Sequence, residues 1–365
     1  MRTEADFLPM WAVPPGRTIA DLLASKRMPP EQMAESMDLT VEEFGDLLTG
    51  KSALTAPMAT RLEAILGASA AFWLNREEQY REQLAELSGG VDPEDAAYKA
   101  WLKSLPLKQM ADFGWISRAT DGKAKLRECL DFFGVPNLDA WNRTYGATRE
   151  TAAFRTTDAH VESAPATAAW LRRGELLADQ IECEDWNPEL FEKQLSKVRE
   201  LTLLPDPADF VPRLQRLCAQ AGVAVVIVKA PLGCRASGAT FFSMPTKAVL
   251  LLSVRYLSDD QFWFSFFHEA GHLVLHYDTE SFILETTTDG PKSPMEEEAN
   301  QFAALRLIPQ AFQDRMPEAA KTTLGIVRLA RDAGVSRGIV VGQMQHRGLV
   351  KRSHYNNLKT RYTWS

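Results

Sequence analysis

Apolar residues recur at three- and four-residue intervals through the first 87 positions, the spacing of single helix faces. Ile19, Leu22 and Leu23 follow Pro14-Pro15-Gly16, and Met33, Ala34 and Met37 follow Pro29-Pro30. Val41, Phe44, Leu47 and Leu48 follow Thr40, an N-cap residue, and stop at Gly50. Met58, Leu62, Ile65 and Leu66 follow Thr55 and stop at Gly67. Start and stop signals thus bracket each face. The short Asp38-Leu39-Thr40 turn between the second and third sets gives helix, tight turn, helix, the helix-turn-helix pattern. Ser88-Gly89-Gly90-Val91-Asp92-Pro93 reads as a linker. From 94 to 200 the pattern stays helical, broken at Phe132-Phe133-Gly134-Val135-Pro136 and in the polar stretch Thr144–Pro165. Trp101, Trp115, Trp141, Trp170 and Trp186 recur there and read as core anchors between helices.

After residue 222 the period changes. Val223–Lys229, Ala239–Ser243 and Ala248–Ser253 read as strands, the first and third apolar enough to be buried on both faces. Ser258-Asp259-Asp260 caps a long helix running to about Tyr277, its early acids complementing the helix dipole. A polar loop, Glu285–Pro294, leads to a helix from Met295 to Leu307, stopped by Pro309. The expectation is a multidomain, mainly α protein without internal repeats. It has an N-terminal helix-turn-helix bundle over 1–87, a helical middle region over 94–200, an α+β core with a small sheet over 201–320 and a small C-terminal module over 321–365.

Bulk properties narrow the class. The chain has 365 residues, 45% hydrophobic and 24% charged, which suits two or three globular domains. No apolar run approaches the roughly 18–20 residues of a membrane span. The start, Met1-Arg2-Thr3-Glu4-Ala5-Asp6, lacks the apolar core of a secretory signal. Cys129, Cys183, Cys218 and Cys234 are scattered with no CxxC pair, as suits packing residues in a reducing cytoplasm. Charge is uneven: residues 1–87 carry 8 basic against 14 acidic side chains, whereas 321–365 carry 9 basic against Asp332 alone. That asymmetry implies different partners for the two ends, or attraction between them, including across a homodimer.

The chemistry is concentrated in Phe267-His268-Glu269-Ala270-Gly271-His272-Leu273. Positions four apart on a helix share a face, so His268 and His272 can reach one ion. Glu269 lies about 100° around the axis, beside the ion, where a general base for hydrolysis belongs. With 6 His in the chain, a chance His-Glu-x-x-His is improbable. The apolar flanks Phe262, Trp263, Phe266, Leu273 and Val274 suit a buried active-site helix. This is a metallopeptidase signature, with Zn2+ the expected ion and Mn2+ or Fe2+ the alternatives for an N/O site.

Two histidines leave a zinc site short of a protein ligand. No third His stands at the HExxHxxGxxH spacing, so the ligand is sought in Glu296-Glu297-Glu298-Ala299-Asn300. Glu296 is favoured because Asn300 lies one turn on, placed to hydrogen-bond a ligating imidazole; Glu297 and Glu298 are the alternatives. His276, one turn beyond His272, and Tyr256 with Arg255 before the helix are candidates for transition-state contacts. Ser237, Gly238, Ala239 and Thr240 form a small-residue strand on which a substrate could add as a further strand.

Taken together, the motif, the EEEANQFAA helix with its Ile308-Pro309 stop, and Phe262-Trp263-Phe264-Ser265-Phe266-Phe267 resemble the ImmA/IrrE-type metallopeptidases. Val13-Pro14-Pro15-Gly16-Arg17-Thr18-Ile19, Leu54-Thr55-Ala56 and Arg61-Leu62-Glu63 resemble HigA-type helix-turn-helix antitoxins. Gly338-Ile339-Val340-Val341-Gly342-Gln343-Met344 is similar to the module that ends such two-part proteins. The resemblance implies a zincin-like core of gluzincin type, with His268, His272 and Glu296 as ligands and Glu269 as base. It also implies a cytoplasmic bacterial or phage protein that cleaves a repressor or antitoxin in stress, toxin–antitoxin or mobile-element control. The alternative is a DNA-binding regulator whose peptidase-like region acts as a sensor.

One departure bears on DNA. The expected recognition helix, Thr40-Val41-Glu42-Glu43-Phe44-Gly45-Asp46-Leu47-Leu48, carries three acids and no cation, whereas phosphate binding needs cations. Lys51 and Arg61 are the nearby basic candidates, and a protein-interaction or dimerisation role is favoured for this region over DNA binding. In the tail, Arg347, Lys351 and Arg352, with Lys359, Arg361, Tyr355, Tyr362 and Trp364, form a second candidate nucleic-acid surface or a dock for the acidic N-terminal region.

Overall fold

The computed structural model describes residues 14–26, 28–88, 95–118, 121–153, 164–254, 258–277, 283–286 and 294–364. Arg255, Tyr256, the stretch 89–94 and most of the loop expected before residue 294 lie outside these. The chain divides into two compact units. One holds the described residues up to Leu102 together with those from 119 to Gly146; the other holds Lys103–Arg118 and the residues from Ala147 onward.

The first unit opens with five helices: α1 (Pro15–Lys26), α2 (Pro30–Ser36), α3 (Val41–Leu48), α4 (Ala56–Leu66) and α5 (Ala70–Ser88). Ile19, Leu23, Met33, Met37, Phe44, Leu47, Leu62, Leu66 and Trp73 form their shared core. The α2–α3 turn is tight because Asp38 takes a left-handed φ of 52°, a conformation acidic and amide side chains tolerate better than most. Thr40 caps α3 in a capping box with Glu43, so one of the three acids of that helix serves its own N-terminus. The expected inward stripe narrows to Phe44 and Leu47, for Val41 is 58% exposed. Gly67, with φ 89°, closes α4 as expected. α6 (Ala96–Ser104), α8 (Gly122–Phe133) and the start of α9 (Leu138–Ala153) meet at Trp101, Phe133, Trp141 and Tyr145, whose rings contact edge to face. α7 (Leu107–Asp112) belongs to the second unit.

The second unit is built on a sheet of β1 (Val223–Val228), β2 (Ala236–Met244), β3 (Lys247–Ser253) and β4 (Ile283–Thr286), in the order β1-β3-β2-β4. β1 and β3 are parallel, and β2 is antiparallel to both β3 and β4. Alternate residues serve opposite faces. Ala224, Val226, Val249 and Leu251 face α10 (Ala164–Ala178) and its buried Trp170. Val223, Val225, Leu250 and Leu252 pack into the core shared with α11 (Pro188–Glu200), α12 (Pro207–Ala219) and α13 (Asp259–Leu275). Both faces are covered, so the first and third strands are continuously apolar.

α14 (Pro294–Leu307) packs beside α13. Two short helices, α15 (Gln310–Gln313) and α16 (Met316–Ala319), lead to α17 (Thr323–Ala333) and α18 (Arg337–His346). The C-terminal region is not a free module. Ile326, Leu329, Ile339, Val340, Met344 and Tyr362 belong to the same core as α13, and Trp263 Nε1 donates to the Tyr362 hydroxyl at 2.9 Å. No helix among the described residues is long and apolar enough to cross a membrane.

Candidate metal centre

Between its first-turn acids and its histidines α13 carries five aromatic residues in six positions, Phe262 to Phe267, so it sits inside the unit. Phe262, Trp263, Phe266 and Phe267 are each at most 4% exposed, and His268, Glu269 and His272 are buried with them. Its first-turn acids do more than meet the dipole. Asp259 accepts hydrogen bonds from Ser336 Oγ at 2.7 Å and the Thr360 N–H at 3.0 Å, and Asp260 pairs with Lys359 Nζ at 2.7 Å. These bonds tie the start of the helix to the C-terminal segment. Burial pushes the Asp259 carboxyl up to about 6 even though Ser336 and Thr360 donate to it.

Gly271 lets α14 approach closely: a Cβ there would stand 3.1 Å from Phe302 Cδ1 and 3.3 Å from Ala299 Cα. That closeness brings Glu296, in the first turn of α14, to the histidines. His268 Nε2 and His272 Nε2 are 3.1 Å apart, and Glu296 oxygens lie 3.3 Å from the first and 3.6 Å from the second. A tetrahedral ion with bonds of about 2.0–2.1 Å needs ligand atoms about 3.3–3.4 Å apart. The three side chains therefore fit a divalent ion. Among the described residues they form the group that could hold a metal. Glu297 is exposed, and Glu298 reaches His276, so Glu296 is the acid that meets both imidazoles.

Both imidazoles are held from behind. Asn300 Oδ1 lies 3.2 Å from His268 Nδ1. His272 Nδ1 lies 3.2 Å from His276 Nδ1, whose Nε2 is 2.8 Å from Glu298 Oε2. One assignment of protons satisfies every contact: Nδ1–H of each inner histidine donates outward, and His276 donates its Nε2–H to Glu298. Both Nε2 lone pairs then face the centre. Asn300 was legible from the one-turn spacing, whereas the His276–Glu298 pair joins residues 22 apart and has no local signature.

Glu269 lies against β2. A Cβ on Gly238 would fall 2.2 Å from Glu269 Oε1, so only glycine fits there. Ser237, Gly238, Ala239 and Thr240 do lie along the site, but they are not an open edge. β4 pairs with this stretch, matching Gly238 to Glu285 and Thr240 to Ile283. The edge expected for an added strand is filled by the chain itself.

The basic candidates are dispersed. Lys51 pairs with Asp46 at 3.3 Å and Arg61 with Asp38 at 2.6 Å, so acids of the turn and recognition helix meet both cations within the first unit. Arg347, Lys351 and Arg352 are exposed in the second unit. The tail aromatics expected to stack on bases pack inward instead: Tyr362 is buried, and Tyr355 and Trp364 lie against the core.

Residues 220–343 match a peptidase family described as the IrrE N-terminal-like domain, a span that includes the two histidines, Glu269 and Glu296. A stretch of 78 residues, 21% of the chain, is 35% identical to an uncharacterized HTH-type transcriptional regulator, YddM, of Escherichia coli (strain K12), and covers 81% of that protein.

Proposed function

Because the chain belongs to the ImmA/IrrE family of metallopeptidases, joined to a helix-turn-helix region of regulator type, we propose that it is a zinc endopeptidase that cleaves a regulatory protein. The substrate class we assign is a helix-turn-helix repressor or antitoxin. The observation that carries this reading is the triangle of His268, His272 and Glu296, spaced for a tetrahedral ion, with Glu269 next in sequence to the first ligand.

His268, His272 and Glu296 would hold a divalent ion, which would supply Lewis acidity at the scissile carbonyl and the attacking water. Asn300 and His276 fix the ring orientations of the two histidines. Glu269 takes the proton from the attacking water and delivers it to the leaving amine. Its burial keeps competing solvent from that exchange.

The test is Glu269→Gln in the full chain, presented with regulators encoded beside its gene. Cleavage, followed by mass spectrometry of the products, should stop while one zinc per chain is retained. Unchanged cleavage by the variant, or a purified protein that binds no divalent metal, defeats the proposal.

A second reading is a DNA-binding regulator in which the peptidase region senses a signal; the YddM likeness favours it. The pairing of Lys51 and Arg61 with acids weighs against it, because phosphate contacts need free cations. We assign the helix-turn-helix region to protein recognition. Tight, sequence-dependent retardation of DNA by the full chain at physiological salt would reverse that assignment. Persistence of regulation in Glu269→Gln would favour the sensor.

A further inference from the structure

A cavity of about 630 Å³ adjoins the metal centre and is not used by the chemistry above. Gln261, Phe264 and Ser265 line it, standing seven, four and three residues before His268. That spacing is the helix face that also carries His268 and His272. With a rise of about 1.5 Å per residue, the cavity runs about 10 Å from His268 toward the start of α13. Two wall residues join it to the centre: Asn300, which contacts His268, and Ser237, next to the glycine that accommodates Glu269.

The opposite wall comes from the C-terminal segment and is cationic. The acid on the α13 wall, Asp260, is engaged by Lys359. Arg347 and Arg352 are exposed; Arg347 donates to the Gln313 side chain, and neither arginine has a carboxylate partner among the described residues. The lining also holds two acceptors that want donors. Asp260 Oδ1 and Gln343 Oε1 are buried with no hydrogen-bond partner among the described residues, although Asp260 is 8% and Gln343 7% exposed. A buried acceptor left unmet is costly, so a ligand that brings donors is favoured. One ligand type meets both demands. An extended peptide supplies backbone N–H groups to the buried acceptors, and an Asp or Glu side chain supplies a planar carboxylate to the guanidinium groups.

We propose that this cavity is a specificity subsite for acidic peptide: it selects substrates with an Asp or Glu within about three residues of the bond that is cut, at about 3.3 Å of extended chain per residue. The inference rests on the peptidase reading and adds to it the sign of charge that the substrate carries.

The experiment uses full-length, zinc-loaded Glu269→Gln protein and fluorescent short-peptide libraries in which one position at a time is fixed as Asp, Asn or Lys. Anisotropy titration should show about tenfold tighter binding for Asp than for Asn at one position or two adjacent positions. Arg352→Glu, at an exposed position, should abolish that preference and favour Lys instead. Equal binding of the three libraries, no binding of any, or an Asp preference that survives Arg352→Glu overturns the inference. Wild-type protein separates the two proposals. Equal kcat/KM on acidic and neutral libraries removes the subsite and leaves the peptidase. Selective binding of acidic peptides without cleavage of any removes the peptidase and leaves the subsite.

Discussion

Gly238 and Glu269 come from a strand and a helix 31 positions apart, yet a Cβ on the glycine would stand 2.2 Å from the carboxylate oxygen and 2.6 Å from Glu269 Cγ. The neighbour is a buried catalytic candidate, not a flexible side-chain tip. Gly238→Ala must therefore displace Glu269 or part β2 from α13. We expect turnover to fall on the order of 10²-fold, as for a catalytic group misplaced by about an ångström. Zinc content should hold, since the three ligands come from α13 and α14. Steady-state kinetics with metal analysis checks both halves, and an active Gly238→Ala enzyme refutes the placement.

The histidine contacts predict a graded effect on metal affinity. His276→Ala removes the acceptor for His272 Nδ1–H, and Asn300→Ala removes the acceptor for His268 Nδ1–H. Each should weaken zinc binding about 10–100-fold, measured by chelator competition. Glu298→Gln should cost less, because the Glu298 side chain is 61% exposed and water can replace it. Unchanged zinc affinity in His276→Ala and Asn300→Ala would mean that the outer contacts do not orient the rings.

What the sequence revealed and what it hid follow one division. His268 and His272 were legible because a helical turn brings them together, and Asn300 because the same turn places it beyond Glu296. The fold class was legible from periods of two and of three to four residues. Contacts between distant segments were hidden. Gly238 read as an edge-strand glycine, and its partner Glu269 lies on another element. β4, which fills that edge, is four residues long and follows a segment with no strand signature. Asp259 and Asp260 read as dipole complements, yet their partners Ser336, Lys359 and Thr360 are about a hundred residues or fewer downstream. The tail aromatics read as free because nothing local marks the Trp263 indole as a partner for Tyr362.

Asp259 gives the unit a pH dependence of definite sign. Its folded pKa of about 6 exceeds the ordinary 3.8, chiefly through burial. The folded protein thus holds a proton that the unfolded chain releases, and the stabilisation is fully present below about pH 4 and lost as pH rises through about 6. Asp259→Asn deletes this dependence. The wild-type urea midpoint minus that of the variant should decline from pH 4.5 to pH 7. Parallel profiles across that range would show that the titrating group is elsewhere.

Lys359 and Asp260 decide how firmly the C-terminal segment is fastened to the start of α13. The two atoms are 2.7 Å apart, with side chains 14% and 8% exposed, and Lys359 also donates to Gln345 Oε1 at 2.8 Å. An exposed ion pair contributes up to about 1 kcal/mol, whereas breaking a buried pair from one side costs about 3–5 kcal/mol because a charge is left behind. Lys359→Ala leaves Asp260 buried without its cation and should fall in the larger class by urea denaturation. Replacing both residues, Lys359→Met with Asp260→Asn, removes the stranded charge and should recover most of the loss. A single-variant cost under about 1 kcal/mol would place the pair with surface ion pairs. The start of α13 would then be held by its aromatic packing and by the Asp259 hydrogen bonds alone.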